Sequence, residues 1–286
     1  MSAASFLPLL PASPERFAWR GHQIATYRAG AGRPILLVHS INAAASAFEM
    51  RGPFAALQGD GEVHAMDLLG YGNSDRPARR YAAEDYIDQI GAQLARIGAP
   101  TAVVASSLGA AYAVAAADRW PERVRSLVLA CPVGISQLAR PAGPVAWAIY
   151  RILRGPVGRQ IFRWLTSESG TRYFLNRQAY HDPASVTPET LAGFYTSAQR
   201  PGGYYAPICF LTGLLNCDIA AAFARLRQPT LIIWGKQATT TPPQKAADFL
   251  NANPRARLKV IDGAGMLVQD ERPAEFALLA RDFIAG

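Results

Sequence analysis

The sequence predicts an α/β protein: a mostly parallel central sheet flanked by helices, with a helical subdomain inserted late in the sheet. Three observations carry this. Short β-rich runs alternate with segments of helical spacing over most of the chain, the pattern of strand–helix–strand units. The stretch TAVVASSLGAAYAVAAADRW (101–120) reads as a strand that breaks sharply into an Ala-rich helix, with a serine on the bend. Residues 138–216 depart from the alternation and are rich in Pro, Gly and aromatics. At 286 residues, half of them apolar, the chain is long enough for one large domain or for a core with an inserted subdomain.

The elements follow in order. FAWRG and HQIATYRAG read as an N-terminal hairpin, and PILLVHS (34–40) as a buried strand, with a helix near AFEMRGPFAAL. VHAMDLL (63–69) is the next strand and runs into a Gly-rich turn. AAEDYIDQIGAQLARIG places Tyr86, Ile90, Leu94 and Ile97 on one helical face. TAVVAS and VRSLVLAC are strands on either side of the Ala-rich helix. After the insertion come the strand TLIIWG (230–235), the helix QKAADFLNA, the strand RLKVID (257–262) and a last helix, PAEFALLARDFIA. The expected organisation is an N-terminal extension (1–16), a core domain (17–137 and 217–286) and a helical cap (138–216).

Composition narrows the function classes. Three scattered cysteines form neither a disulfide framework nor a zinc pattern, so a reducing, cytoplasmic setting is expected. The N-terminal segment has no basic region, and its apolar run FLPLL is short and bounded by prolines; neither a signal peptide nor a membrane span is expected. No paired histidines and carboxylates stand at metal spacing and no phosphate loop is present, so no metal and no cofactor are expected. The formal charge is +8, carried almost wholly by arginine. Without a binding motif or base-stacking pattern, nucleic acid is not an expected partner.

The bend is the centre of the chemistry. A strand-to-helix nucleophile turn needs small residues two before and two after its serine. Ala105 and Gly109 meet that need around Ser107; Val104 and Leu108 do not meet it around Ser106. A plain N-cap serine is the competing reading of the same five residues. ILLVHSINAAASAF, DLLGYGNSDRP and TLIIWGKQATTTP each follow or end a predicted strand.

With these segments in place, the chain resembles the α/β-hydrolase superfamily. DLLGYGNSDRP is close to its D-x-x-G-x-G-x-S-x-x-P turn, and the insertion matches the position and length of its cap. The resemblance implies Ser107 as the nucleophile position, with the Ile41 and Leu108 backbone N–H groups as oxyanion donors. It implies a triad acid shortly after Trp234-Gly235, where Ala238 stands, and a triad histidine after Gly263-Ala264-Gly265, where Met266 stands. The usual His-Gly of the oxyanion loop is His39-Ser40.

The last histidine in the chain is His181, inside the insertion. A serine hydroxyl is a poor nucleophile unless a neighbour takes its proton, and a thioether cannot do so. Two histidines are alternative bases against a blander reading: the resemblance implies a structural role for His39, and His181 in HDPAS reads first as a surface-loop residue. An apolar pocket lined by the hydroxyls of Ser40, Ser106 and Ser107, with His39 alongside, is expected under the cap. It suits a small hydrophobic or lipid-like partner.

In PVAWAIYRILRGPVGRQIFRWL, Trp147, Tyr150, Ile152, Leu153, Ile161, Phe162, Trp164 and Leu165 alternate with arginines. Two readings stand: cap helices packed over the pocket with arginines in water, or a basic amphipathic surface that touches a membrane peripherally. Three functions stay open. They are a binding protein using the old active-site pocket, a weak or unconventional serine hydrolase or lyase using Ser107, and a scaffold whose cap binds protein.

Overall fold

A computed structural model describes residues 8–286. The strands are β1 (Glu15–Trp19), β2 (His22–Ala29), β3 (Pro34–Val38), β4 (Glu62–Met66), β5 (Thr101–Ser106), β6 (Val124–Ala130), β7 (Thr230–Gly235) and β8 (Arg257–Ile261). They form one sheet of order β1-β2-β4-β3-β5-β6-β7-β8. The pairs β1–β2 and β2–β4 are antiparallel, and the other five are parallel. β5 is buried at every position and lies between β3 and β6. A strand covered on both faces must be apolar throughout, which is why TAVVA and PILLV lack alternation.

The core helices are α1 (Arg51–Leu57), α2 (Ala83–Ile97) and α3 (Ser107–Arg119). α2 buries Tyr86, Ile90 and Leu94, while Ile97 is only half-buried near the helix end. Between β6 and β7 run α4 (Pro144–Leu153), α5 (Pro156–Leu165), α6 (Glu168–Phe174), α7 (Pro188–Ala198), α8 (Tyr205–Leu211) and α9 (Ala220–Arg225). The chain closes with α10 (Ala246–Ala252), α11 (Val268–Glu271) and α12 (Pro273–Ala285). Among the described residues no helix is long and apolar enough to cross a membrane.

The structure corrects the extent of one expected strand. The strand expected over 63–69 ends at Met66. There the Asp67 carboxylate accepts hydrogen bonds from the Ala47 and Asn73 amides and the Tyr27 hydroxyl. The Leu68 and Leu69 amides turn to the side chains of His39 and Gln89, so the ladder cannot continue. The first seven residues of the expected N-terminal extension lie outside the described residues; Leu9 and Leu10 are packed into the core, and β1 begins at Glu15.

The inserted helices have features of both readings, because their apolar residues do not all face inward. Tyr150 and Phe162 are buried and Trp147 is half-buried, but Ile152 is 63% exposed and Trp164 72% exposed.

Candidate active site

Ser107 stands where β5 gives way to α3, with φ +51°. A non-glycine residue in this left-handed region is strained by about 1–3 kcal/mol and persists only where its surroundings over-determine it. Packing supplies the constraint. Ala105 is paired with Val38 on one side and Leu129 on the other. A Cβ at Gly109 would stand 2.1 Å from the His39 carbonyl oxygen, so the first turn of α3 is pressed onto the loop after β3. The Leu108 N–H belongs to that first turn, whose amides have no intrahelical acceptor.

The loop after β3 is tied down by a buried carboxylate that sequence reasoning missed. Glu49 is fully buried and accepts from the Ser40 N–H at 2.9 Å and the Asn42 side-chain amide at 2.7 Å. Asn42 also donates to the Ser40 hydroxyl at 3.0 Å and accepts from the Ala44 N–H. The Ser40 amide is thus spoken for, and among the described residues the Ile41 N–H meets no acceptor. Neither the Ile41 nor the Leu108 N–H, the donors that the resemblance implies, is bonded to an acceptor among the described residues. The only sequence signal for Glu49 was an acid inside the apolar run AFEM.

Burial pushes the Glu49 carboxyl up to about 7, against the pull of its Ser40 and Asn42 partners. Its folded value exceeds its ordinary value of 4.5, so its contribution to stability is full below about pH 4.5 and is lost as pH rises through about 7. The swing is of order 3 kcal/mol at ~1.4 kcal/mol per unit. Asp270, raised to about 6 by burial, acts with the same sign lower down. Between about pH 6 and 7, denaturant-unfolding stability is therefore expected to fall in the wild type and to be flatter in Glu49→Gln.

The four histidines are accounted for. His39 is fully buried; its Nε2 accepts from the Leu68 N–H at 3.0 Å, and its Nδ1 lies 2.5 Å from the Ser40 carbonyl, which can only accept. This fixes a neutral ring with both nitrogens occupied, and burial lowers its basicity further. His39 is a structural link from β3 to the turn after β4, the role that the resemblance implies for it. His181 is exposed; its backbone N–H, not its ring, is held by Glu271. His22 and His64 sit on β2 and β4. No hydrogen bond joins the Ser107 hydroxyl to any imidazole among the described residues.

Ala238 and Met266 come from the loops after β7 and β8, and both are buried. The two loops are stitched together: Gln237 N–H donates to the Ala264 carbonyl at 3.0 Å and Ala264 N–H to the Gln237 side chain at 3.1 Å. The Thr240 hydroxyl donates to the Met266 sulfur at 3.0 Å. A sulfur that accepts a hydrogen bond in an apolar wall cannot take a proton from a serine. The end of β6 brings no substitute: the Cys131 thiol is buried, and its pKa is pushed up to about 12.

Glu271 anchors a second network. Its carboxylate accepts from the amides of His181 (2.9 and 3.0 Å), Asp182 (2.7 Å) and Gly265 (2.6 Å). It clamps the segment after α6 onto the Met266 loop. Beside it, Asp270 pairs with Arg51 at 2.7 Å and receives the Tyr180 hydroxyl.

An apolar cavity of about 460 Å³ lies between the loop after β3 and the inserted helices. Asn42, Ala43 and Ala44 line one side; Trp164, Phe174 and Phe210 are among those on the other. His39, Ser40, Ser106 and Ser107 do not line it, and neither do Ala238 and Met266, so this cavity is not the hydroxyl-lined pocket expected from sequence at the elbow. The Ser106 hydroxyl is buried without a hydrogen-bond partner.

A family model described as the Alpha/beta hydrolase family matches residues 35–278. Over 264 residues the chain is 28% identical to a 2-hydroxymuconate semialdehyde hydrolase of Pseudomonas sp. (strain CF600), covering 90% of this chain and 88% of that protein. It is 29% identical over 274 residues to an enzyme of the same name from Pseudomonas putida, covering 93% of this chain and 92% of that one. A solved structure of 2-hydroxy-6-oxo-6-phenylhexa-2,4-dienoate hydrolase from Rhodococcus sp. strain RHA1 matches with a TM-score of 0.77 at 20% identity. That match covers 96% of this chain and 99% of the other, and at that identity it shows a shared fold.

Proposed function

The chain belongs to the α/β-hydrolase family, and from that premise we propose that it holds a small hydrophobic or lipid-like molecule in its apolar cavity without turning it over efficiently. One observation carries the reading: Ser107 keeps the strained elbow geometry, yet the side chain at the base position is Met266, whose sulfur is occupied by Thr240. The Ala238–Met266 pair is chemically coherent. A triad acid with no imidazole to orient would be a buried, unpaired carboxylate, which is costly, and alanine removes that cost. The cavity wall supports a mainly apolar ligand, with Asn42, Thr166, Ser169, Thr171 and Gln178 as its polar groups.

Saturable binding of a fluorescent medium-chain fatty acid, displaced by its unlabelled parent, is the expected result for the wild type. Phe210→Glu puts a charge into the cavity wall and should weaken binding at least about tenfold. No saturable binding at micromolar protein, or an unchanged affinity in Phe210→Glu, counts against the reading.

A second reading is favoured by the retained φ of +51° at Ser107 and by relatives named as hydrolases: a slow acyl hydrolase that uses Ser107 and the Ile41 and Leu108 amides. Oxyanion and binding terms alone can leave roughly a thousand-fold advantage over water. On this reading, turnover exists but is slow.

A further inference from the structure

We propose that the outer face of α4, α5 and α6 docks on an anionic lipid bilayer, so that the apolar cavity opens toward the membrane. Val145, Ile149 and Ile152 on α4 fall at i, i+4 and i+7, and are 73%, 44% and 63% exposed. Val157, Ile161 and Trp164 on the adjacent α5 repeat that spacing at 58%, 40% and 72% exposure. Each helix thus presents a continuous apolar stripe to solvent. Of the eleven exposed large hydrophobic residues among those described, seven lie on α4, α5 and α6, which pack one against the next; this concentration departs from the scatter normal for a soluble surface.

Charge selects the occupant. Residues 138–216 contain eight arginines, no lysine and three acids, Glu168, Asp182 and Glu189. Glu168 is already paired with Arg172. Arg151, Arg154, Arg159, Arg163 and Arg177 are exposed around the stripes. A second copy of the chain would bring the same excess of positive charge to the contact. A bilayer of acidic phospholipid offers the opposite charge together with an apolar interior, and arginine stems can lie along apolar surface while their heads reach phosphate.

The cavity meets this face. Trp164, Tyr173 and Leu211 line the cavity and are also 72%, 62% and 49% exposed. Its mouth therefore opens among the residues that would contact lipid. A groove along α6 lined by Arg172 and Arg177 shares Tyr173 with it, placing cationic groups beside an apolar hole.

The test is vesicle co-sedimentation of the full chain, with no added ligand, so that its outcome is separate from that of the fatty-acid titration. Vesicles of phosphatidylcholine alone are compared with vesicles carrying about 30 mol% phosphatidylglycerol, at about 0.05 and 0.3 M salt. Binding to the anionic vesicles, weakened by salt, is expected. Ile152→Glu with Trp164→Glu should reduce it at least about tenfold while leaving the circular dichroism and melting temperature unchanged, because both positions are exposed. The proposal is overturned if the wild type stays in the supernatant with anionic vesicles, or if the folded double variant binds as well as the wild type. It is also overturned if sedimentation shows a concentration-dependent dimer that the variant dissolves, which would make a second copy the occupant.

Discussion

Ala238→Asp combined with Met266→His is expected to convert the protein into a measurable esterase. The two loops are already joined through Gln237 and Ala264, and the Thr240 hydroxyl reaches the Met266 side chain. An imidazole at 266 therefore enters a wall that the loop carrying position 238 already touches. A positioned general base contributes roughly a hundred- to ten-thousand-fold. A site whose supporting groups are not tuned for the new pair recovers only part of that.

The expected rise in kcat/KM for a short p-nitrophenyl ester is about a hundredfold over the wild type. The rate should climb with pH through the imidazole range near about 6.5, because only the neutral ring accepts the proton. Met266→His alone should give a smaller gain, since its tautomer is unfixed. Ala238→Asp alone should give none and should lower stability through an unpaired buried charge. Adding Ser107→Ala must remove the gain. A folded double variant without activity would mean that the Ile41 and Leu108 amides are not aimed at a reacting oxygen.

Glu271→Ala is expected to be the most destabilising single change, at about 3–5 kcal/mol. The carboxylate is the shared acceptor for three backbone amides on two segments, His181 and Asp182 on one and Gly265 on the other. Alanine leaves those donors without their acceptor and cuts the link between the inserted helices and the Met266 loop. Chemical unfolding should show the loss. Amide exchange should accelerate first at 179–182 and 264–267, ahead of the sheet. Glu271→Gln keeps one acceptor oxygen but turns a donor toward the amides, so an intermediate loss is expected. A loss under about 1 kcal/mol for the alanine variant would contradict the clamp.

How much of this was legible in the sequence follows from the range of the interactions. The sheet was, because a buried parallel strand writes itself as a continuous apolar run. The elbow was too, because steric demands two residues either side of Ser107 are local. That no histidine follows His181 was legible without any structure.

The carboxylate network was not. Asp270 meets Arg51 across 219 residues of chain, and Glu271 meets His181 across 90, and nothing in the local pattern of DER announces either. The inserted helices were half legible: the i, i+4, i+7 stripes could be read from PVAWAIYRILRGPVGRQIFRWL. Periodicity gives the presence of an apolar face but not its direction. Here the helices carry two such faces, one packed through Tyr150 and Phe162 and one exposed through Ile152 and Trp164.

Whether the elbow hydroxyl is activated can be read in a single experiment: the rate at which the unaltered protein is labelled by a fluorophosphonate, with Ser107→Ala as the blank. The account predicts labelling no faster than that blank, because among the described residues no hydrogen bond joins that oxygen to a side chain that could take its proton. Rapid stoichiometric labelling that vanishes in Ser107→Ala would contradict it and establish a working nucleophile.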